Sequence, residues 1–353
     1  MTDEAPALDN DFRTDRIVDT RDNAPLLEIE NLHVEFRTDS GVVRAVNGVT
    51  YDVRPGETVA ILGESGSGKS VSAQAIMGII DTPPGFITEG AVRYRGDDLL
   101  TMADGPRRKI RGAQIAMVFQ DALSALNPVF RIGWQLDEMF KQHQGLSSDE
   151  ARERTVELLD RVGIPSPKER AESYPHEFSG GMRQRAMIAM AISLNPDVLI
   201  ADEPTTALDV TVQAQIMDLL SDLQEEYGMA MVLITHDLGV VAEVADRVNV
   251  MYAGRIVEHG PAMEVFTNPA HPYTVGLMES IPRADMKGMQ LEPIIGSPPN
   301  LANIPSGCAF HPRCRFRHSN CFDEVPPIVD VPGDDRYSAC HYVEEVMDAT
   351  VRV

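Results

Sequence analysis

The feature that most constrains this chain is the segment GESGSGKS at residues 63 to 70. It matches the pattern G-x-x-x-x-G-K-[ST], follows the apolar run TVAIL at residues 58 to 62, and precedes a stretch with helical periodicity. A strand, a glycine-rich loop and a helix in this order form a phosphate-binding unit. The sequence therefore predicts an α/β fold in which further apolar runs form a buried parallel sheet.

The residues of this loop suit a nucleotide. Glycines let backbone N–H groups turn inward, and the start of the helix adds a partial positive charge. Lys69 can reach the terminal phosphates, and the Ser70 hydroxyl can bind Mg²⁺. A purely structural glycine loop is the alternative, and the strand-to-helix context disfavours it. We therefore predict that the whole loop contacts the nucleotide, through Gly63, Glu64, Ser65, Gly66, Ser67, Gly68, Lys69 and Ser70.

A second apolar run, VLIADE at residues 198 to 203, ends in two adjacent carboxylates. Asp202 is placed to hold Mg²⁺, directly or through water, and Glu203 can polarise an attacking water as general base. His236 follows the next apolar run (MVLITHD) and can contact the γ-phosphate. An exposed turn and a structural histidine are the ordinary alternatives. Beside a phosphate loop, the set indicates hydrolysis.

A third segment, FSGGMRQR at residues 178 to 185, opens another helical stretch. Its Ser179, Gly180 and Gly181 form a bare helix start that a second anion can approach closely. An ordinary serine-capped helix is the alternative. Because the chain already has its own phosphate loop, this second site is expected to serve the nucleotide of a partner chain.

Composition limits the possible partners. No stretch approaches the roughly 18 consecutive apolar residues of a membrane-spanning helix. The formal net charge is −23 and the pI is about 4.7, which disfavours nucleic acid because phosphate backbones demand a basic face. The acidity fits either an ordinary soluble surface or a high-salt cytosol, in which screening makes carboxylate repulsion weak.

The chain divides into three parts by composition and residue pattern. Residues 1–25 are polar, lack the apolar core of a signal peptide, and are expected to form a flexible acidic tail in the cytosol. Residues 26–265 hold all the motifs above, with strand-like alternation near the start and helical periodicity over about 121–178. Residues 266–353 are rich in proline, contain every cysteine, and are expected to form a separate C-terminal extension.

In this order, the motifs resemble the nucleotide-binding subunit of an ABC transporter over about residues 26 to 265. The resemblance implies a RecA-like P-loop NTPase core with an antiparallel β subdomain, a helical subdomain and a small irregular C-terminal extension. The segment FSGGM departs from the commonest signature, LSGGQ, at both ends but keeps its Ser-Gly-Gly core.

The same resemblance assigns roles to further residues. Gln120 corresponds to the Q-loop glutamine, a Mg²⁺ ligand; Phe36 to the aromatic residue that stacks on adenine; and residues 207 to 209 to the D-loop, whose Asp209 contacts nucleotide. The catalytic residues are then Lys69, Gln120, Glu203 and His236.

Two stretches resemble the ATP-binding subunits of oligopeptide and dipeptide importers: DALSALNPVFRIG after Gln120, and the tail from HPYTVGLMESIP onwards. This implies a homologous ATPase partner, two membrane permeases and an extracytoplasmic substrate-binding protein, at the cytoplasmic face of the membrane. ATP shared between two chains would close the dimer, and hydrolysis would open it. Nickel or oligosaccharide uptake, export, a redox-regulated protein and a soluble ABC ATPase acting on DNA or ribosomes are the alternatives.

The four cysteines are Cys308, Cys314, Cys321 and Cys340. Their spacing matches neither the common zinc pairs nor the ferredoxin patterns, so spacing alone predicts no metal. Disulfides and free buried thiols stay open, although a cytosolic location disfavours disulfides. The importer resemblance implies a [4Fe-4S] cluster on the four thiols, with Zn²⁺ as the alternative and with three histidines nearby as possible ligands: His311, His318 and His341.

Overall fold

The structure of the protein, a computed structural model, describes residues 24–39, 41–206, 208–280 and 294–350, with the side chain of Thr350 left out. Most of the expected acidic tail, and Ala207 of the expected D-loop, lie outside these ranges. The strands are β1 (Leu27–Thr38), β2 (Gly41–Val53), β3 (Thr58–Leu62), β4 (Gly85–Tyr94), β5 (Asp97–Asp98), β6 (Ile115–Val118), β7 (Val198–Asp202), β8 (Ala230–Thr235), β9 (Arg247–Tyr252), β10 (Arg255–Pro261), β11 (Val329–Asp330) and β12 (Tyr337–Ser338).

The helices of the same ranges are mostly short. They are α1 (Lys69–Met77), α2 (Asp104–Ile110), α3 (Ala122–Ala125), α4 (Ile132–Gln144), α5 (Ser148–Arg161), α6 (Pro167–Arg170), α7 (Gly180–Ile192), α8 (Val210–Tyr227), α9 (Leu238–Val244), α10 (Ala262–Thr267), α11 (Pro272–Glu279) and α12 (Val343–Thr350). None of these helices is both long and apolar enough to cross a membrane.

The central sheet has the strand order β11-β12-β10-β9-β3-β8-β7-β6. Strands β9, β3, β8, β7 and β6 are parallel to their neighbours, whereas β10, β12 and β11 join antiparallel. Every residue of β3, β7 and β8 is buried, as their continuous apolar sequences require of a sheet covered on both faces. The carboxyl ends of these three strands carry the candidate catalytic segments.

Successive residues of the central strands enter different cores because a strand's side chains alternate between its faces. Ile61 packs into one cluster with Val34 of the small antiparallel sheet, whose strand order is β2-β1-β4-β5. Leu199 points to the other face and joins Leu136 and Ile188 of the helices. Between residues 119 and 178 the chain forms helices and 3₁₀ turns and no strands. This helical region packs onto the second face of the sheet.

The C-terminal region contributes to the central sheet. Strand β12 pairs antiparallel with β10, so that Ser338 lies opposite Glu258. The Glu258 carboxylate is fully buried and bonds the Arg336 guanidinium at 3.2 Å, as well as the backbone N–H groups of Ala270 and His271. These contacts run across the boundary expected at residue 265, which stays a prediction.

His271 gives the fold a pH-dependent element. Its ring is 2% exposed and its Nδ1 accepts the backbone N–H of Tyr273 at 3.1 Å, and burial lowers its pKa to about 3. Below about pH 6.5 the unfolded chain binds a proton at this histidine that the folded chain excludes. The free energy of unfolding should therefore fall by up to about 1.4 kcal/mol per pH unit as pH drops from 6.5 towards 3.

Chemical denaturation of the wild type and the His271→Asn variant between pH 7 and 4 checks this. The asparagine oxygen can still accept the Tyr273 N–H, so the variant should fold and show a shallower loss in acid. The matched control is His143→Gln, at an exposed position on α4, which should follow the wild-type profile. Identical slopes for His271→Asn and wild type would contradict the prediction.

Candidate functional site

The phosphate loop lies between β3 and α1, pressed against neighbouring backbone. Gly68 has a φ of +106°, and a Cβ atom there would lie 2.2 Å from the carbonyl oxygen of Ala45. A Cβ atom at Gly63 would lie 2.2 Å from the carbonyl oxygen of Met251. Backbone cannot yield as a flexible side chain can, so the loop keeps this path only with glycine at both positions.

Lys69 fills the interior of this loop and is only 4% exposed. Its Nζ donates to the carbonyl oxygens of Gly63, at 2.7 Å, and of Glu64, at 3.0 Å. Burial lowers the pKa of Lys69, and three nearby carboxylates oppose the shift: Glu203, Asp202 and Glu64. The ammonium group is thus held by two carbonyl oxygens inside the loop that is expected to wrap the phosphates.

Asp202 and Ser70 form the oxygen pair expected at a Mg²⁺ site. The Ser70 hydroxyl donates to Asp202 Oδ1 at 2.9 Å, and Asp202 is 4% exposed. Burial raises the pKa of Asp202, and the bond from Ser70 works against this rise. Mg²⁺ binds oxygen ligands and is usually held by one or two carboxylates plus substrate phosphates and waters. This pair fits that requirement, whereas Gln120 hydrogen-bonds elsewhere.

Glu203 is the centre of a separate polar cluster at the end of β7. Its Oε2 accepts from Gln120 Nε2, at 3.1 Å, and from the Thr206 hydroxyl, at 2.8 Å. His236 Nδ1 lies 3.4 Å from Glu203 Oε1, and the His236 side chain is 60% exposed. Three of the four predicted catalytic residues therefore converge, and Thr206 joins them.

The backbone of Glu203 is in an uncommon conformation. Its φ of +46° lies in the left-handed region, and its N–H donates to the carbonyl oxygen of Ile234 at 2.8 Å. Non-glycine residues rarely adopt this φ, and functional sites are where such strain concentrates. The turn aims the Glu203 carboxylate at Gln120 and His236.

The Ser-Gly-Gly segment opens α7. Ser179 Oγ caps the helix by accepting the Met182 N–H at 3.3 Å. A Cβ atom at Gly181 would lie 3.0 Å from Val212 of α8, the helix that Asp209 caps by accepting the Val212 N–H. No hydrogen bond or ion pair within the described residues joins this region to the phosphate loop. The Ser-Gly-Gly segment lies at a helix start, from which its backbone N–H groups can approach an anion.

Phe36 lies on β1, opposite Val43 of β2 and Gly85 of β4, and is half-buried. A Cβ atom at Gly85 would lie 3.0 Å from its Cε1, so glycine leaves the ring room on that side. The expected stacking of Phe36 on adenine stays a prediction.

The four cysteines are free thiols in the C-terminal region. The backbone N–H of Cys308 donates to the carbonyl oxygen of Cys321 at 2.9 Å. Burial raises the pKa of Cys314 to about 11 and that of Cys340 to about 12, and the neighbouring cysteines add to both shifts. Yet among the residues with described positions, no three His, Cys, Asp or Glu side chains converge closely enough to hold a metal ion. The thiols share a region without forming a ligand set.

The three histidines named as possible ligands have other partners. His311 Nδ1 lies 2.9 Å from the Cys308 carbonyl oxygen, His318 Nε2 lies 3.0 Å from Glu345 Oε2, and His341 Nε2 lies 3.1 Å from the Glu324 carbonyl oxygen.

Known proteins resemble the chain in both of its main regions. Residues 46–206 match the family model described as ABC transporter, and residues 257–321 match the one described as oligopeptide/dipeptide transporter, C-terminal region. A protein of Brucella abortus (strain 2308), provisionally named a peptide import ATP-binding protein, is 56% identical over 333 residues, which are 91% of this chain and 98% of the relative. The dipeptide transport ATP-binding protein DppD of Bacillus subtilis (strain 168) is 50% identical over 315 residues, which are 89% and 94% of the two chains.

The chain belongs to the ABC transporter ATP-binding subunits of the oligopeptide/dipeptide type. Membership makes it an ABC ATPase, an enzyme that hydrolyses ATP. The family resemblance predicted from the motifs is thereby confirmed, whereas the four-cysteine site stays a prediction.

A solved structure supports the fold of this ABC ATPase. The dimeric, post-hydrolysis structure of the ATP-binding cassette MJ0796 with ADP and Pi has a TM-score of 0.60 and 30% identity, covering 67% of this chain and 98% of that one. The predicted fold class, a P-loop NTPase with an antiparallel sheet and helical parts, is confirmed.

Sequence reasoning missed three residues that contact the predicted site of this ABC ATPase. Thr206 follows Glu203 by three residues in the stretch ADEPTT, and this short spacing could have predicted its hydroxyl close to the carboxylate. Tyr273 and Arg313 contact Glu64 of the phosphate loop from the C-terminal region. No local pattern links either residue to a nucleotide, because the fold alone brings them there.

Proposed function

We propose that this ABC ATPase energises the uptake of di- and oligopeptides through separate membrane permeases. The observation that carries this is the match of residues 257–321 to the oligopeptide/dipeptide transporter C-terminal region. The similarity to DppD over 94% of its length supports the same substrate class. Nickel or oligosaccharide uptake is the alternative within transport.

Uptake of labelled peptide in cells that lack the gene tests the proposal. Wild-type chain should restore uptake of a labelled di- or tripeptide, and the Lys69→Ala variant, without its phosphate-loop ammonium, should not. Labelled nickel and a labelled oligosaccharide are run in parallel. If the wild-type chain restored uptake of nickel or of the oligosaccharide but not of peptide, that compound would be the transported substrate instead.

The proposed active unit is a dimer of ATP-binding subunits with two permeases and an extracytoplasmic binding protein. Because each chain already has its own phosphate loop, each nucleotide would sit between the loop of one chain and Ser179, Gly180 and Gly181 of the other. The bare start of α7 offers backbone N–H groups and a positive helix end to the γ-phosphate. The dimeric state of the solved cassette MJ0796 supports the proposed dimer of ATP-binding subunits.

In the proposed hydrolysis, Lys69 and the loop N–H groups neutralise the phosphates, and Mg²⁺ held by Ser70 and Asp202 would offset charge that develops on them. Glu203 would accept the proton of the attacking water, while Gln120, Thr206 and His236 orient its carboxylate. Loss of phosphate removes contacts that both chains share, so the dimer opens.

An apolar surface in the helical region that follows Gln120 in the sequence supports the permease contact. Val129 is 71% exposed, Trp134 44% and Phe130 39%, and the last two rings stack at 4.1 Å between centroids. Large exposed apolar side chains that cluster mark interaction sites. The subunit is proposed to sit at the cytoplasmic face of the membrane.

A high-salt cytosol, supported by the net charge of −23, is a further proposal that an ATPase optimum at low ionic strength would exclude.

The [4Fe-4S] cluster remains a proposal that rests on the importer resemblance and on the closeness in sequence of Cys308, Cys314, Cys321 and Cys340, with Zn²⁺ as the alternative. Anaerobic purification followed by iron, zinc and acid-labile sulfide analysis tests it. We expect about four irons and four sulfides per chain by the stoichiometry of the cluster, and their loss in Cys314→Ser. Zinc or no metal in the wild type would refute the proposed cluster, and the ATPase assignment would stand without it.

A further inference from the structure

Glu64, the second residue of the phosphate loop, is bonded by two side chains of the C-terminal region. Arg313 Nη1 and Nη2 lie 2.6 Å and 3.0 Å from the two Glu64 carboxylate oxygens, a bidentate pair. The Glu64 backbone N–H donates to the Tyr273 hydroxyl at 2.8 Å. The loop is therefore fastened at one residue through both its main chain and its side chain.

Arg313 is itself held rigidly. Its side chain is 5% exposed, and its Nε donates to the carbonyl oxygen of Ile295 at 3.2 Å. The guanidinium carbon lies 5.9 Å from the ring centroids of both Tyr252 and Phe310. These rings and that of Tyr273 contact one another, with centroids 4.6 to 5.5 Å apart. An arginine fixed in this way can hold a carboxylate in one position.

The charge of this pair matters for a polyphosphate ligand. Glu64 is one of the carboxylates that act on Lys69, so it lies within electrostatic range of the phosphate-binding ammonium group. An unpaired carboxylate there would repel the phosphates of ATP, because like charges repel strongly in a partly buried site. Arg313 cancels that charge, so the pair carries no net charge beside the phosphates.

We propose that Arg313 is a positioning residue of the ATP site, which neutralises Glu64 and fixes the phosphate loop, with Tyr273 holding the loop's main chain. The C-terminal region thus sets the affinity for ATP from outside the nucleotide motifs. The proposal rests on the ATP site described above and adds a residue to it.

Steady-state ATPase kinetics and equilibrium MgATP binding, both on the full-length chain, test the proposal. Arg313→Ala should raise KM and Kd for MgATP about tenfold, with kcat changed less than about twofold, because the Glu203 cluster is untouched. Arg313→Lys, which keeps the charge without the bidentate geometry, should recover part of the affinity.

The Glu64→Gln/Arg313→Ala double variant separates charge from structure. If Glu64 repels ATP once Arg313 is gone, removing its charge should restore most of the lost affinity. The matched control is Arg315→Ala, which breaks the exposed pair of Arg315 with Glu279 in the same segment and should bind ATP as the wild type does. Unchanged binding in Arg313→Ala, or a loss that the double variant does not relieve, would overturn the proposal. Failure of the wild type itself to bind MgATP would instead refute the ATP site.

Discussion

Glu203→Gln should lower ATP turnover by about 10²- to 10⁴-fold while ATP binding stays within a few-fold of wild type. Glutamine fills the same volume and can still bond Gln120 and Thr206, but its amide cannot accept the proton of the attacking water. Lys69, which would bind the phosphates, keeps its bonds to the carbonyl oxygens of Gly63 and Glu64, and Asp202 and Glu64 still support its charge. Phosphate release under saturating ATP and equilibrium MgATP binding together check both halves of this expectation.

The matched control is Glu225→Gln, an exposed carboxylate on α8, which should turn over ATP at the wild-type rate. Because hydrolysis is proposed to open the dimer, Glu203→Gln should also accumulate an ATP-bound dimer in size-exclusion chromatography with MgATP. Turnover close to wild type in Glu203→Gln would refute the assignment of Glu203 as general base.

Arg336→Met should lower the free energy of unfolding by about 3–5 kcal/mol near pH 7. Arg336 and Glu258 have side-chain exposures of 2% and 0%, so removal of the arginine leaves a buried carboxylate without its cation. Burial already raises the pKa of Glu258, which the Ala270 N–H and the Arg336 guanidinium counter. Denaturant unfolding monitored by circular dichroism measures the loss.

A second substitution tests whether the buried charge is the cause. Glu258→Gln combined with Arg336→Met removes the carboxylate and keeps one acceptor oxygen, for either the Ala270 or the His271 N–H group, and should recover part of the stability. The exposed pair of Arg93 with Glu30 provides the comparison, since Arg93→Ala should unfold at nearly the same denaturant concentration as the wild type. A double variant no more stable than Arg336→Met would contradict the buried charge as the cause of the loss.

The nucleotide half of the site could be predicted from the sequence because each of its parts is local. A phosphate loop needs its glycines, Lys69 and Ser70 within eight consecutive residues, and strand ends carry Asp202 and His236 to one edge of a parallel sheet. The continuous apolar runs likewise predicted the buried strands β3, β7 and β8.

The remainder depends on contacts between distant residues. Arg313 and Glu64 are 249 positions apart, and nothing in the stretch HPRC indicates a phosphate loop as its neighbour. Gln120 and Glu203 are 83 positions apart, and only the family resemblance connected Gln120 with the catalytic site. Proline content suggested an independent C-terminal extension, but the pattern could not reveal that β12 would pair with β10.

That pairing restricts how such chains can be recombined. A chimera that joined residues up to 265 of this chain to the tail of a relative would place a foreign strand beside β10 and a foreign residue opposite the buried Glu258 carboxylate. A plain truncation there would leave the β10 edge open to strands of other molecules. A functional graft must transfer Glu258 and Arg336 together, so the junction has to fall before β10 rather than where the composition changes.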